Sequence, residues 1–261
     1  MSGAAEGQPV GRICEILAWD TAFWGIPVGK VTRPVLLPGD GDDIATWCAE
    51  QEVACLYFLA PTDDRGTILE AERAGFSLVD QRLTLGVTVT GDATPTLPND
   101  PLTTIRPCRT EDIAMLEGIA ARSHRDSRFY FDGRFPADRC DALYVTWIRQ
   151  SIEGWADAVL VAANAGGAAG YVTCHLDAPD RGRVGLIGVG EAARGRGVGQ
   201  ALVHAALAWF RARGAASATV VTQGRNTGAQ RLYQRCGFVT QSMNLWYHRW
   251  SDPVPHLDGP A

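Results

Sequence analysis

A glycine-rich turn between an apolar strand and a long helix constrains this chain more than any other feature of its sequence. The turn has six residues: Arg194, Gly195, Arg196, Gly197, Val198 and Gly199. An apolar stretch at 184–189 leads into it, and apolar residues at helical spacing follow it as far as Gly214. The first turn of a helix leaves backbone N–H groups unpaired and carries a partial positive charge, while glycines let an anion approach the backbone. The pattern therefore predicts a phosphate-binding strand, turn and helix.

Three other structures also place a glycine-rich turn before a helix. The turn can simply connect a strand to a helix. A dinucleotide-binding fold needs an acidic residue about 20 positions later, but the next predicted strand, 218–223, ends without a carboxylate. A P-loop needs Gly-Lys-Ser/Thr, which does not occur in the sequence. The plain connection is therefore the main alternative to a phosphate site.

A second motif follows the next strand. It has the form N-x-x-A-x-x-L-Y-x-x-x-G-F and comprises Asn226, Ala229, Leu232, Tyr233, Gly237 and Phe238. Together with R-x-x-G-x-G at 194–199, it resembles the acyl-CoA site of the GNAT superfamily of N-acetyltransferases. The resemblance implies a GNAT fold over about 103–250, with acetyl-CoA as co-substrate and no metal.

The resemblance also implies roles for individual residues. The coenzyme A pyrophosphate is expected on the turn, which comprises Arg194, Gly195, Arg196, Gly197, Val198 and Gly199. The pantetheine arm is expected to pair with the backbone of Ile187, Gly188 and Val189. Asn226 is expected to contact the cofactor arm, and Tyr233 to donate a proton to the departing thiolate. The alternative for Tyr233 is a core aromatic at the end of a helix.

A proline-rich stretch divides the chain into two halves. Positions 95–101 hold three prolines, which cannot continue a helix or a central strand. We predict an N-terminal half at 1–90, a linker at 91–101, a second half at 102–250 and a tail at 251–261.

The two halves share a strand, a helix, a Gly-Phe pair and a second strand. The predicted spans are 54–60, 66–74 and 79–89 in the first half, and 218–223, 227–236 and 239–247 in the second. Gly75-Phe76 and Gly237-Phe238 fall in register. The predicted fold is α/β: a complete GNAT unit with a mixed, twisted sheet, preceded by a truncated, degenerate copy that binds no coenzyme. Convergence on a common strand–helix–strand form is the alternative.

Composition excludes several classes of protein. The chain has 261 residues, a net charge of −5 and no basic cluster, which argues against nucleic acid as a partner. No apolar run reaches the ~18 residues that a membrane span needs, and the first residues do not resemble a secretory signal. The seven cysteines include no C-x-x-C pair, so we expect them to be reduced, buried and not to bind metal. We expect a cytoplasmic enzyme, and both a monomer and a homodimer are compatible with the sequence.

Weaker sequence signals indicate which molecule accepts the acetyl group. Residues 19–25, with the sequence WDTAFWG, resemble the W-x-x-x-F-F-G stretch of the TDP-fucosamine N-acetyltransferase family, and residues 75–80 and 127–129 also resemble it. This resemblance implies that the acceptor is the primary amine of a TDP-linked amino deoxysugar. The family has an acidic residue at the position of Asp80, which makes Asp80 a candidate general base acting through a water. The alternative for Asp80 is a solvated strand residue.

The segment 125–135, predicted as a loop, interleaves three arginines with four aromatics. Arginines suit a diphosphate, and aromatic faces can stack on a base or a sugar. We select Arg128, Tyr130 and Arg134 as acceptor-binding residues, with Arg128 as the preferred anion contact. A surface turn over an apolar patch is the alternative. His175 is a further acceptor-side candidate, and His124 another possible base, because histidine titrates near neutrality; packing histidines are the alternative for both.

The sequence thus predicts acetyl-CoA-dependent N-acetylation of a nucleotide-linked amino sugar. A different small amine, such as an antibiotic, an amino acid or a polyamine, or a different acyl-CoA, is the nearest alternative. A non-catalytic acyl-CoA-binding module is a more distant one, and the presence of Tyr233 counts against it.

Overall fold

A computed structural model of the protein describes residues 13–89 and 103–251, which form ten β-strands and eight α-helices. The predicted linker at 91–101 and all but the first residue of the predicted tail lie outside the described residues. The domain boundaries drawn from the linker therefore stay a prediction. Contacts divide the chain into two compact units, the first holding residues up to Val79 and from Asn244 onward, the second holding residues 80–243.

The first unit is a four-stranded sheet with three helices. Its elements are β1 (Cys14–Ile16), α1 (Ala18–Trp24), β2 (Val28–Val31), α2 (Asp40–Glu50), β3 (Cys55–Pro61), α3 (Arg65–Arg73), the start of β4 (Ser77–Thr88) and the end of β10 (Val239–Trp250). Strands follow the order β1-β2-β3-β10, with β2 parallel to β3 and the other pairs antiparallel. Ile44, Leu56, Phe58 and Tyr247 are fully buried in its core.

The second unit is a larger sheet with helices on both faces. Its further elements are β5 (Thr104–Pro107), α4 (Ile113–Ser123), α5 (Arg128–Asp132), α6 (Ala137–Gln150), β6 (Ala158–Asn164), β7 (Gly167–Ala178), β8 (Arg181–Val189), α7 (Val198–Arg211), β9 (Ser217–Gln223) and α8 (Thr227–Arg235). Strands follow the order β4-β9-β8-β7-β6-β5, and β8 and β9 are parallel while the other pairs are antiparallel. The predicted mixed sheet and α/β class are therefore confirmed.

Alternate residues of the strands pack into two separate hydrophobic cores in this unit. Leu160 and Ala162 of β6 pack with α7, whereas Val159 and Val161 pack with α4 and α6. This period-2 division follows from the pleat, which turns successive side chains to opposite faces of the sheet. Helix α7 can be buried on one side because its apolar residues recur at helical spacing.

Two runs of three elements match position for position. Strand β9, helix α8 and strand β10 begin and end 162 positions after β3, α3 and β4 respectively. Both helices are capped alike, since Asp64 Oδ1 accepts the Thr67 N–H and Asn226 Oδ1 accepts the Ala229 N–H. Both end in a glycine with φ above 80°, Gly75 or Gly237. The predicted strand–helix–strand pairs are confirmed, with bounds within three residues.

The matched runs exchange their final strands. Strand β10 pairs antiparallel with β3, so that Trp250 faces Cys55, and β4 pairs antiparallel with β9, so that Thr88 faces Ser217. Both registers carry the same 162-residue offset. Each unit is therefore completed by a strand that begins in the other, which explains where the contacts divide the chain.

No helix in the described part of the chain is long and apolar enough to cross a membrane. All seven cysteines lie within that part as free thiols, and six of them are buried. The segment 125–135, predicted as a loop, contains the short helix α5, so that prediction was incomplete. Phe129 and Phe135 are both buried and pack edge to face at 5.4 Å between ring centroids, which holds the segment compact.

Candidate functional site

The glycine-rich turn joins β8 to α7, as predicted. Gly195 and Gly197 have φ of 75° and 77°, in the left-handed region that strains other residues. The first backbone hydrogen bond of α7 runs from the Ala201 N–H to the Gly197 carbonyl, so the N–H groups of 198–200 have no acceptor within the helix. No acidic residue occupies the first turn, and Arg194 and Arg196 are exposed beside it. The turn therefore offers an anion backbone donors, a helix dipole and two guanidinium groups.

Strand β8 has an open backbone edge just before this turn. It pairs with β9 only over 181–184, whereas it pairs with β7 as far as Val189. The pairing with β7 contains a β-bulge, where the Leu186 N–H donates to Thr173 Oγ1 at 2.8 Å. A bulge bends its strand. Residues 185–189 therefore leave β9 and keep an edge on which an extended ligand could pair.

The three residues selected for the cofactor arm lie on this open segment. Gly188 is buried, while Ile187 and Val189 are half-buried and pack against the α7 core. At the bulge itself, a Cβ on Gly185 would lie 2.5 Å from His175 Nε2 and 2.6 Å from Thr173 Oγ1. Only glycine fits there without displacing those side chains.

A cavity of about 820 Å³ opens beside the turn, within the range of about 300–1,000 Å³ usual for small-molecule sites. One side is formed by Val189 and the turn residues Arg194, Arg196 and Val198. The other side is formed by α4, through residues that the sequence did not single out: Met115, Gly118, Ile119, Arg122 and Ser123. An arginine in the last turn of an amphipathic helix is ordinary, so Arg122 gave no sequence signal of a site.

Asn226 is the N-cap of α8, and Tyr233 lies on that helix. The Oδ1 of Asn226 caps the helix, which leaves the side-chain NH₂ as a donor for other contacts. Tyr233 is 3% exposed, and its ring packs against Phe238 at 5.7 Å in the α7 core. Burial raises the pKa of the Tyr233 hydroxyl well above its usual value, so it is protonated at neutral pH. Tyr233 is thus a core aromatic whose hydroxyl keeps its proton at neutral pH.

Asp80 lies on β4 just beyond its pairing with β9, and it is 4% exposed. Burial therefore excludes the alternative of a solvated strand residue. Its Oδ1 lies 3.2 Å from Arg225 Nη1 and accepts the Gln81 N–H at 2.8 Å. Burial raises the pKa of Asp80 to about 6, while Arg225 and the Gln81 N–H act in the opposite direction. A carboxyl group with this pKa is mostly ionised at pH 7 and can accept a proton.

The aromatic and basic residues of 125–135 have different surroundings. The Arg128 guanidinium lies 4.3 Å from the Phe129 ring centroid and is close enough to lower the pKa of Asp80. Arg134 is exposed. The Tyr130 hydroxyl donates to Asp141, which also pairs with Arg125. The Tyr130 hydroxyl is thus engaged within the protein, and the Arg125 guanidinium lies 4.7 Å from the centroid of the Tyr130 ring.

The two candidate histidines have different surroundings. His124 Nε2 lies 3.1 Å from the Tyr171 hydroxyl oxygen, its ring stacks on Tyr144 at 4.3 Å, and burial lowers its pKa to about 4. His175 is buried, burial lowers its pKa, and it faces Arg183 in the register of β7 with β8. Arg183 in turn faces Thr219 of β9. Asp80 lies beyond the other end of β9, since Gln223 faces Arg82, so His175 and Asp80 are separated along the strands by more than four residues.

The structure therefore brings Asp80 together with Arg128, and the turn together with the open edge of β8. It leaves His175 away from the first group. Arg225, two residues after the end of β9, was not selected from the sequence, although functional side chains often lie on the loops that follow strands. Among residues 13–89 and 103–251, no three His, Cys, Asp or Glu side chains form a metal-sized cluster.

Comparisons with known proteins agree with this geometry. Residues 121–238 match the family model for the acetyltransferase (GNAT) family. The dTDP-fucosamine acetyltransferase of Escherichia coli O6:H1 is 29% identical over 251 residues, which cover 93% of this chain and all of that protein. A mycothiol acetyltransferase of Mycobacterium avium is 41% identical over 84 residues, which cover 30% of this chain and 27% of that protein.

The fold also matches a solved structure, a GCN5-related N-acetyltransferase from Sphaerobacter thermophilus. Its TM-score is 0.65 at 17% identity, and the match covers 91% of this chain and 76% of that one. At this identity the likeness concerns the fold alone, and it extends through the first unit as well as the second.

Proposed function

Because this chain carries an N-acetyltransferase domain of the GNAT family, we propose that it transfers the acetyl group of acetyl-CoA directly to the primary amine of a nucleotide-linked amino deoxysugar. The observation that supports this choice of acceptor is the similarity to dTDP-fucosamine acetyltransferase. It extends over 93% of the chain, far beyond the residues that a coenzyme site needs. A likeness restricted to the turn and α7 would support only the donor.

The donor side of the proposal is supported by the cavity and the turn. The unpaired N–H groups of 198–200, with Arg194 and Arg196, suit the pyrophosphate of coenzyme A. The open edge at 185–189 suits the amide groups of the pantetheine arm, which can add to a sheet as a short strand. Arg122 on the facing wall of the cavity supplies a third cation for coenzyme phosphates.

The chemistry needs three contributions from the protein. Bound acetyl-CoA supplies an activated thioester carbonyl; a C–N bond forms to the amine and the C–S bond to coenzyme A breaks. A backbone N–H near Val189 stabilises negative charge on the carbonyl oxygen in this proposal. Asp80 takes one proton from the ammonium group through a water before the attack, and Tyr233 gives a proton to the departing sulfur. The second proton that the nitrogen loses as the amide forms returns to the Tyr233 oxygen. The products are an N-acetylated sugar and the free thiol of coenzyme A.

Thiol release measured with a matched set of acceptors tests this proposal. The set contains a TDP-linked 4-amino-4,6-dideoxy sugar, the same amino sugar as a methyl glycoside, and the TDP-linked sugar without its amine. We expect kcat/KM to be at least about tenfold higher for the first than for the second, and no turnover of the third. Equal kcat/KM for the first two would contradict the nucleotide-linked acceptor.

A different small amine is the second candidate, because a mycothiol acetyltransferase is 41% identical to this chain over 84 residues. That match covers about a quarter of those proteins, so it bears on a part shared by several acceptors. A panel of amines without a nucleotide, assayed with acetyl-CoA and propionyl-CoA, separates this candidate from the first.

A further inference from the structure

The connection between β9 and α8 places Arg225 beside Asp80. The residue before it is tied to β4, because the Gly224 N–H donates to the Gln81 carbonyl at 2.7 Å. A Cβ on Gly224 would lie 2.8 Å from the Gln81 Cβ, so glycine lets the two segments approach this closely. The Gln230 side chain of α8 donates to the Gly224 carbonyl at 2.8 Å. The backbone that carries Arg225 is therefore held through both the N–H and the carbonyl of its neighbour.

The Arg225 side chain contacts three segments of the second unit. Its Nη1 lies 3.2 Å from Asp80 Oδ1 on β4. The same nitrogen donates to the Asp126 carbonyl at 3.2 Å, in the connection between α4 and α5. On α5, the Phe131 ring centroid lies 3.8 Å from the guanidinium carbon, close enough for a cation–π contact. One side chain thus joins the candidate base to the segment 125–135, which the sequence predicts for the acceptor.

The ion pair of Asp80 with Arg225 is largely shielded from water. The Asp80 side chain is 5% exposed and the Arg225 side chain 29%. Exposed ion pairs contribute little, but removing one partner of a buried pair leaves an uncompensated charge. The Asp80 carboxylate also accepts the Gln81 N–H at 2.8 Å, but a neutral donor does not balance its charge. Arg225 is therefore the cation in direct contact with the carboxylate.

Other charged groups near Asp80 have a smaller influence on its pKa. Burial has the largest effect and raises that pKa, and Arg225 opposes it most strongly. Arg128 of α5 also lowers the pKa, and Asp126 of the preceding connection raises it, but both contribute less than the Gln81 N–H. The ionised form of Asp80 is thus favoured chiefly by the residue that also contacts the segment 125–135.

We propose that Arg225 is a positioning residue, which holds the Asp80 carboxylate in place as the base through its own contacts with Asp126 and Phe131. The inference rests on the proposed function, in which Asp80 takes a proton from the amine. Arg225 bonds to none of the reacting atoms in that scheme and acts through Asp80. Because one nitrogen is shared between Asp80 and the Asp126 carbonyl, a displacement of the segment 125–135 would also change the hold on the base.

The shared strand–helix–strand form does not impose this ion pair. The offset of 162 residues places Asp63 at the position that matches Arg225, and Ser242 at the position that matches Asp80. An aspartate and a serine cannot form an ion pair. The pair therefore occurs only where Asp80 meets the connection that follows β9.

A carboxyl titration tests the inference without any substrate. In protein with ¹³C-labelled aspartate carboxyls, NMR gives the titration midpoint of Asp80, whose signal is identified by its loss in Asp80→Asn. We expect a midpoint of about 6 in wild type. In Arg225→Gln it should lie at least about one pH unit higher, because a nearby opposite charge lowers the pKa of a carboxyl by about 1–3. An unchanged midpoint in Arg225→Gln would overturn the inference.

Three further variants complete the titration. Arg225→Lys should give a midpoint between those of wild type and Arg225→Gln, since it keeps the charge but not the planar fork. Arg235→Gln, an exposed arginine in the last turn of α8, is the matched control and should titrate like wild type. Phe131→Leu removes a ring that is 58% exposed, so it tests the inference even if Arg225→Gln does not fold. Its midpoint should rise by less than that of Arg225→Gln, and no rise would contradict the link to the segment 125–135.

Kinetics with a double variant distinguish action through Asp80 from a purely structural role. With the amine that wild type turns over best, Arg225→Gln should lower kcat/KM at least about fivefold at pH 6 and less at pH 8, where more of Asp80 is ionised. In the Asp80→Asn background the same substitution should change kcat/KM by less than about twofold. The dissociation constant of acetyl-CoA should stay within about twofold in every variant. Equal losses in both backgrounds would mean that Arg225 does not act through Asp80.

The two proposals fail in different ways. If the Asp80 midpoint moves as expected but wild type turns over no nucleotide-linked amine, the proposed acceptor is wrong and the hold of Arg225 on Asp80 stands. If wild type acetylates the TDP-linked amino sugar but the midpoint in Arg225→Gln is unchanged, the role of Arg225 is wrong and the proposed function stands.

Discussion

Single residues carry the two proton transfers of the proposed reaction, and the structure gives them different surroundings. Tyr233 lies in a dry core, where burial keeps its hydroxyl protonated. Asp80 is also buried but is held by Arg225 and the Gln81 N–H, which favour its ionised form. One environment keeps a proton for donation, and the other keeps a carboxylate that can accept one.

Replacing Tyr233 by phenylalanine removes the donor and keeps the packing against Phe238. We expect kcat to fall at least about tenfold, because a positioned acid contributes roughly 10²–10⁴ in rate. The dissociation constant of acetyl-CoA should change by less than about twofold. Steady-state thiol release and calorimetry measure the two quantities, and wild-type kcat in Tyr233→Phe would remove the acid role.

Asp80 makes the rate depend on pH. In wild type, kcat/KM for the amine should fall as the pH decreases through about 6, where Asp80 takes up a proton and can no longer act as a base. In Asp80→Asn this decrease should be absent and the rate at neutral pH lower by about 10²-fold. Rates between pH 5 and 9 measure this, with Asp80→Glu as the variant that keeps a titrating carboxyl. An identical low-pH limb in Asp80→Asn would assign the base elsewhere.

His124 makes stability depend on pH. Burial lowers its pKa to about 4, whereas an unfolded histidine has a pKa of about 6.5. Between these values the unfolded chain binds more protons, so the free energy of unfolding falls as the pH decreases. The loss between pH 7 and 5 is about 2 kcal/mol at most.

His124→Gln should remove this loss while keeping a hydrogen-bonding group near Tyr171. Urea unfolding of wild type and variant at pH 5, 6 and 7 gives the difference, and subtraction cancels the contributions of other titrating groups. The difference between the two free energies of unfolding should shift toward the variant as the pH falls. A constant difference would mean that His124 titrates normally in the folded protein.

Secondary-structure elements were predictable where their signals are local. Apolar periodicity and the Gly-Phe pairs predicted the bounds of β3, α3, β9 and α8 to within one residue. Helix caps and helix ends depend on neighbouring residues, so the sequence pattern indicates them directly. The exchange of β4 and β10 had no such signal, since it depends on pairing between segments far apart in the sequence. Helix α5 was missed because two buried phenylalanines, rather than helix propensity, hold it.

The residues of the candidate site also differ in how far the sequence predicts them. Turn residues and Tyr233 belong to motifs with fixed spacing, and they were named from the sequence. Arg225 and Arg122 belong to no motif, since an arginine after a strand or at the end of a helix is usually a solvated charge. Their surroundings become visible only when β4 lies beside β9 and α4 faces the turn.

The bulge in β8 gives a test at the scale of an element. A Cβ on Gly185 would overlap His175 and Thr173, so Gly185→Ala should lower the free energy of unfolding by about 1–3 kcal/mol. Gly228→Ala on α8 is the control, because its Cβ would meet its nearest neighbour at an ordinary 3.7 Å, and alanine favours a helix. Thermal unfolding compares the two. Equal melting temperatures for Gly185→Ala and wild type would show that the bulge tolerates a side chain.

At the scale of the whole molecule, the two matched runs differ in the helix that precedes each of them, α7 in the second unit and α2 in the first. Helix α7 begins after glycines with no acid in its first turn, whereas α2 begins with Asp40, Asp42 and Asp43. Carboxylates at that end occupy the positive end of the dipole, and Asp40 Oδ2 already accepts the Leu37 N–H at 2.6 Å. Ala71 also stands 162 positions before Tyr233, so the first unit has no tyrosine at the position of the proposed acid.

The chain should therefore bind one molecule of coenzyme A. Calorimetry with acetyl-CoA is expected to give a stoichiometry of about one per chain, and the double variant Arg194→Ala, Arg196→Ala should weaken that single site by at least about tenfold. Arg65→Ala with Arg73→Ala, on α3 of the first unit, is the matched control and should leave the affinity unchanged. A stoichiometry of two would mean that the first unit has kept a donor site.

The strand exchange also sets an order for synthesis and folding. Residues 55–61 leave the ribosome early, but the strand that completes their edge, 244–250, is made almost 190 positions later. The first unit cannot close before residues 244–250 are made, and its exposed β3 edge must wait through the synthesis of the entire second unit. The N-terminal half therefore cannot complete its sheet before the second unit has been made, and a chaperone that shields an unpaired strand would act on that half.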